Sequence, residues 1–87
     1  MILPKRFTIE VSKKDIENGI REDPHNCPIA NAVRKKFNIR IKHDVCVDWS
    51  VRIKDIHYKN TGRTMIFINK FDAGKKVKPT KFTFTQV

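Results

Sequence analysis

The chain has 87 residues, 39% hydrophobic and 32% charged, and its 19 Lys/Arg against 9 Asp/Glu give a formal net charge of +10. That length makes one small domain with a modest core, the apolar share argues against wholesale disorder, and no apolar run approaches the roughly 20 residues of a membrane-spanning helix. The charge is uneven: residues 1–23 balance five cations against five anions, whereas residues 24–87 carry fourteen against four. An excess of that size opposes compaction and points to an anionic partner.

The opening Met1-Ile2-Leu3-Pro4-Lys5-Arg6 lacks the apolar core of a signal peptide, so the expectation is a cytoplasmic protein whose Cys27 and Cys46 stay reduced. Phe7-Thr8-Ile9-Glu10-Val11 alternates as a half-buried strand. Ser12 and Asp15 then approximate a capping box for a short helix stopping near Gly19, and Arg21 to Asn26 reads as a loop around Asp23-Pro24. Cys27 to Phe37 is the clearest helix, with Pro28 in its first turn and Ile29, Val33 and Phe37 on one stripe. Arg34, Lys35 and Lys36 at its C-terminal end already have a structural reason, the helix dipole.

Ile39-Arg40-Ile41-Lys42 is expected as a short strand, followed by a turn at His43-Asp44. Val45, Val47, Trp49, Val51 and Ile53 alternate with Cys46, Asp48, Ser50, Arg52 and Lys54 in the strongest strand signal of the chain. Ile56 and Tyr58 lie in the opposite phase, which predicts a bulge or strand end near Asp55. Lys59 to Arg63 reads as a turn. Thr64 to Gly74 mixes strand propensity with helical spacing of Phe67 and Phe71, and helix is the expectation, capped by Thr64. Lys75 to Pro79 is a basic connector, and Thr80 to Thr85 closes the chain as a strand with Phe82 and Phe84 inward. The fold class expected is α+β, β-α-α-β-β-α-β, an antiparallel sheet of about four strands with two or three helices on one face.

His25, Cys27, His43 and Cys46 form a donor set that zinc accepts, but their spacing departs from the usual knuckles, so unliganded side chains, with no metal and no cofactor, are expected. Cys27 at a helix N-cap would have its thiol pKa lowered by the dipole, yet no positioned base accompanies it, and a buried thiol anchoring the helix is the expectation. Without a Gly-rich phosphate loop or a Ser/His/Asp order, a non-catalytic protein is expected.

The remaining constellation is electrostatic. Alternation puts Arg40, Lys42, Arg52, Lys54 and Lys81 on the polar face of the sheet, with Lys59 and Arg63 at the turn beside it and Lys75, Lys76 and Lys78 as a supplement. Such a set suits phosphates of a nucleic acid. Phe7, Phe37, Trp49, Phe82 and Phe84 fall on apolar faces by periodicity, leaving Tyr58 as the one exposed stacking platform, so contacts to the backbone rather than to bases are expected.

Phe7-Thr-Ile-Glu-Val, Asp15-Ile-Glu-Asn-Gly19, Cys27-Pro-Ile-Ala-Asn-Ala-Val33, Phe71-Asp-Ala-Gly74 and Val77-Lys-Pro79-Thr-Lys-Phe82 resemble a family of small phage and bacterial proteins of unassigned function. The resemblance implies a compact α+β fold and a phage origin, with residues 39–64 outside it. It raises an alternative function: a counter-defence protein in the host cytoplasm that inhibits an acidic host protein complex or sequesters a nucleotide signal.

Overall fold

The computed structural model of the chain describes residues 2–87. Five antiparallel strands, β1 (Arg6–Val11), β2 (Val45–Val47), β3 (Ser50–Ile53), β4 (Ile56–Lys59) and β5 (Thr80–Gln86), form one sheet in the order β1-β5-β4-β3-β2. Three α-helices accompany it: α1 (Lys13–Glu17), α2 (Pro28–Phe37) and α3 (Gly62–Asp72). The α+β class is as expected, with one strand more.

One face of the sheet supplies the core. Phe7, Ile9, Val11, Val51, Ile53, Tyr58, Phe82 and Phe84 are buried together with Ile29, Ala30 and Val33 of α2 and Phe67 of α3. Phe7 meets Phe37 of α2 edge-on at 4.9 Å between ring centres, and Phe67 meets Phe82 at 5.3 Å. Both long helices therefore lie on the same side.

The local signals account for most helix ends. Ser12 accepts the Asp15 amide and Asp15 answers at the Ser12 amide, completing the capping box of α1. Cys27 occupies the N-cap of α2, and Asn38 ends that helix in the left-handed region at φ 55°, which asparagine tolerates. α3 starts two residues before the expected cap, because Thr61 rather than Thr64 accepts the first-turn amide. Thr64 is instead buried inside the helix.

Three expectations in the middle of the chain are overturned. The predicted strand at Ile39–Lys42 is absent: Ile39 closes α2 through its amide to the Arg34 carbonyl, and Lys42–Asp44 form a 3-10 turn. The place beside β2 is taken. Val47 donates its amide to the Pro24 carbonyl at 2.9 Å, and His25 Nδ1 lies 2.9 Å from the Val45 carbonyl, so the Pro24–His25 segment covers the β2 edge.

The continuous strand over Val45–Lys54 folds back on itself instead. Val47 faces Val51 across a tight hairpin with Trp49 at its apex, 88% exposed rather than on the apolar face. Asp48 stabilises that turn by accepting the Ser50 amide at 3.3 Å. The two-residue turn at Lys54-Asp55, between facing Ile53 and Ile56, then shifts the phase by one residue. Tyr58 is thereby turned into the core, where its hydroxyl donates to the Pro4 carbonyl, and it is no exposed stacking platform.

Candidate phosphate-binding face

The second face of the sheet carries no helix. Its side chains are the alternate residues of each strand: Arg6, Thr8 and Glu10 on β1, Lys81, Thr83 and Thr85 on β5, His57 and Lys59 on β4, Ser50 and Arg52 on β3, and Cys46 on β2. The registers align them in rows across the sheet. Ser50, Lys59, Thr85 and Arg6 make one row, Cys46, Arg52 and His57 a second, Thr83 and Thr8 a third, and Lys81 and Glu10 a fourth. With strands about 4.8 Å apart, Lys59 and Arg6 stand roughly 10 Å apart across Thr85.

Of the seven sequence-predicted cations, Arg52, Lys59 and Lys81 occupy this face. Arg40 and Lys42 do not, since neither belongs to a strand: Arg40 is in the segment after α2, and Lys42 opens the 3-10 turn. Lys54 has left the face as well. It sits in the β3–β4 turn at φ 54°, with its amide donating to the Asp44 carbonyl at 2.7 Å, so Lys54 lies at the 3-10 turn with Lys42. Arg63 is on the helical side, its guanidinium 5.5 Å from the Phe82 ring centre and its Nη2 donating to Thr80 Oγ1 at 3.4 Å.

Arg6 is the cation the sequence reading missed. Its signal was the same alternation that turns Phe7 inward, hidden by counting residues 1–23 as electrically neutral. The face thus presents Arg6, Arg52, Lys59 and Lys81, with Glu10 opposite Lys81 as the carboxylate within it. None of these four cations forms an ion pair within 4.0 Å among the described residues, where the pairs present are Lys13–Glu17 and Lys35–Asp15. Their charge stays available to a ligand.

A second basic feature flanks the β5 strand. A groove of about 390 Å³ between α3 and the 76–80 connector is lined by Arg63, Lys70, Lys76 and Lys78 over an apolar floor that includes Phe67 and Phe82, with no carboxylate. Thr80, which Arg63 contacts, precedes Lys81 on the open face.

The sulfur and histidine groups do not assemble into a site. His25 and His43 stack edge-to-face at 5.1 Å, but Cys27 is buried at the α2 N-cap, while Cys46 points to the open face and donates to Asp48 Oδ2 at 3.7 Å. Among the described residues no group of three His, Cys, Asp or Glu is placed to hold a metal ion. Both cysteines are free. Burial pushes the Cys27 thiol up to about 11 and outweighs the amides of Ala30 and Ile29 that favour the thiolate, the opposite of the lowering expected from the dipole.

No protein-family profile, curated protein or solved structure matches the chain. The resemblance to small phage and bacterial proteins gains no support from these comparisons.

Proposed function

We propose that this protein binds the phosphate backbone of a nucleic acid on the helix-free face of its sheet, through Arg6, Arg52, Lys59 and Lys81. The observation that carries the reading is four cations on one face, none of them ion-paired among the described residues. The other side chains of that face are Thr, Ser, Cys, one Glu and His57, whose imidazole is the single ring there, so the face has no run of aromatic rings for successive bases to stack on. Hydroxyls suit phosphate oxygens, so contacts to the backbone rather than sequence readout follow. Such a protein needs no catalytic group.

The test is binding to duplex DNA, single-stranded DNA and RNA at two ionic strengths. Four phosphate contacts predict an affinity about a hundredfold weaker at about 200 mM than at about 50 mM salt on duplex DNA. Arg52→Glu with Lys59→Glu should weaken all sequences alike. Absence of binding at the lower salt overturns the reading.

The α3 groove favours a second reading, capture of a free nucleotide, because four cations there border an apolar floor with no opposing carboxylate. A ligand held so would raise the melting temperature with its concentration. Arg63→Glu would abolish that rise and leave DNA binding on the open face intact.

A further inference from the structure

The two ends of the sheet are finished differently. At β2 the edge groups are partnered by Pro24 and His25. At β1 they are not. The Gln86 amide donates to the Lys5 carbonyl at 2.7 Å, and the register runs from Arg6 opposite Thr85 to Val11 opposite Thr80. Alternation of the antiparallel ladder therefore directs the amides and carbonyls of Lys5, Phe7, Ile9 and Val11 to β5, and those of Arg6, Thr8 and Glu10 outward. Among the described residues no backbone group bonds to Arg6, Thr8 or Glu10 across that edge.

The open edge is also the wall of a cleft of about 760 Å³, which runs along residues 8–13 and is closed on the far side by Ala32, Lys35 and Lys36 of α2. Lys13 and Lys81 complete its cationic rim, and its one lining carboxylate, Glu10, faces Lys81 in the ladder. Six residues of edge span about 20 Å, the length of a short strand.

We propose that the β1 edge docks an extended, acidic segment of a partner protein as a sixth strand, its backbone paired with Arg6, Thr8 and Glu10 and its carboxylates answered by Lys36 and Lys81, with Lys13 and Lys35, which pair with Glu17 and Asp15 in the free protein, adding to the basic rim. Main-chain bonding supplies the affinity in such a strand addition, and the flanking side chains supply the choice of strand. Lysines beside an edge normally discourage pairing. A second copy of this +10 chain would bring the same lysines against one another, whereas an acidic strand turns the barrier into attraction. The inference does not rest on nucleic-acid binding: the backbone of the edge plays no part there, and Lys81 is the one side chain that both readings use.

The experiment uses the full chain and an end-capped six-residue peptide alternating Glu and Val. Expected are saturable binding and slowed hydrogen exchange at the Arg6, Thr8 and Glu10 amides, with the already paired Phe7 and Ile9 amides little changed. Peptides N-methylated at alternate amides, one for each phase, separate strand pairing from charge, since the phase that blocks the paired edge should bind about tenfold weaker or worse. Lys13→Glu with Lys36→Glu, both on exposed side chains, should weaken the unmodified peptide about tenfold. Failure of the peptide to bind, equal binding of both methylated peptides, or unchanged exchange at Arg6, Thr8 and Glu10 overturns the proposal. So does concentration-dependent dimerisation that protects the same amides, which would make a second copy the occupant.

Discussion

Cys27 caps helix α2 through its sulfur, which accepts the Ala30 amide at 3.4 Å while the residue is 3% exposed. The pH consequence has a definite sign. A thiol whose pKa rises from about 9 when unfolded to about 11 when folded holds its proton longer in the native state. Its contribution is complete below pH 9 and is lost as pH climbs towards 11, by roughly 2–3 kcal/mol. Denaturant titrations below pH 9 and near pH 11 should show a fall in stability that is smaller by about this amount in Cys27→Ala. Tyr58, whose pKa is also raised by burial, is common to both proteins and cancels in the difference.

Two glycines give opposite expectations. A Cβ on Gly19 would come within 2.7 Å and 2.8 Å of the Pro28 ring and 2.9 Å of Phe71 Cζ. The proline is rigid and closes the start of α2, so Gly19→Ala should destabilise by about 1–3 kcal/mol. Gly62, in the first turn of α3, has nothing within 4 Å of that position, and Gly62→Ala should stabilise by about 0.5–1 kcal/mol through helix propensity. Thermal melts of the two variants should move in opposite directions.

Asp15 accepts from the Ser12 amide and hydroxyl, each at 2.9 Å, and from Lys35 Nζ at 3.0 Å, while only 7% exposed. Removing the carboxylate opens the capping box and leaves the part-buried Ser12 amide and hydroxyl without their partner, so Asp15→Ala should cost about 1–3 kcal/mol. Lys35→Ala removes a partner that is itself largely exposed and should cost no more than about 1 kcal/mol. If the ion pair rather than the cap dominated, the two losses measured by urea unfolding would be equal.

Trp49 is the only tryptophan in the sequence and stands at a hairpin apex at 88% exposure. Its emission should be that of a water-exposed indole in the folded protein and change little on unfolding. Trp49→Ala should alter stability by less than about 0.5 kcal/mol.

The strands at both ends of the chain and helix α2 were legible because each carries one uninterrupted period, as in Phe7-Ile9-Val11 or Ile29-Val33-Phe37, whereas α3 showed only through the spacing of Phe67 and Phe71 against a strand-like start, and its cap is Thr61 rather than Thr64. The centre was not legible, for a geometric reason. Three residues separate the facing Val47 and Val51, an odd number that keeps the parity of a strand, so the two valines alternate as if the chain ran straight on and the sequence pattern conceals the reversal at Trp49. The two-residue turn at Lys54-Asp55 changes parity and announced itself. Arg40 and Lys42 were misplaced because Ile39 and Ile41 alternate in sequence while only Ile39 is buried and Ile41 stays 61% exposed. The candidate face kept Arg52 and Lys81 for the same parity reason, gained Arg6 and, from the expected turn, Lys59, and gave up Lys54 to the β3–β4 turn.

The cover that Pro24 and His25 place over β2 sets a limit on assembly. A sheet with both edges free can recruit copies of itself without end, whereas this one is finished on one side and can be lengthened only at β1. Whatever joins it there terminates the growth unless it brings an open edge of its own. Loosening the Pro24–His25 segment would remove that stop and leave the sheet with two edges open to pairing.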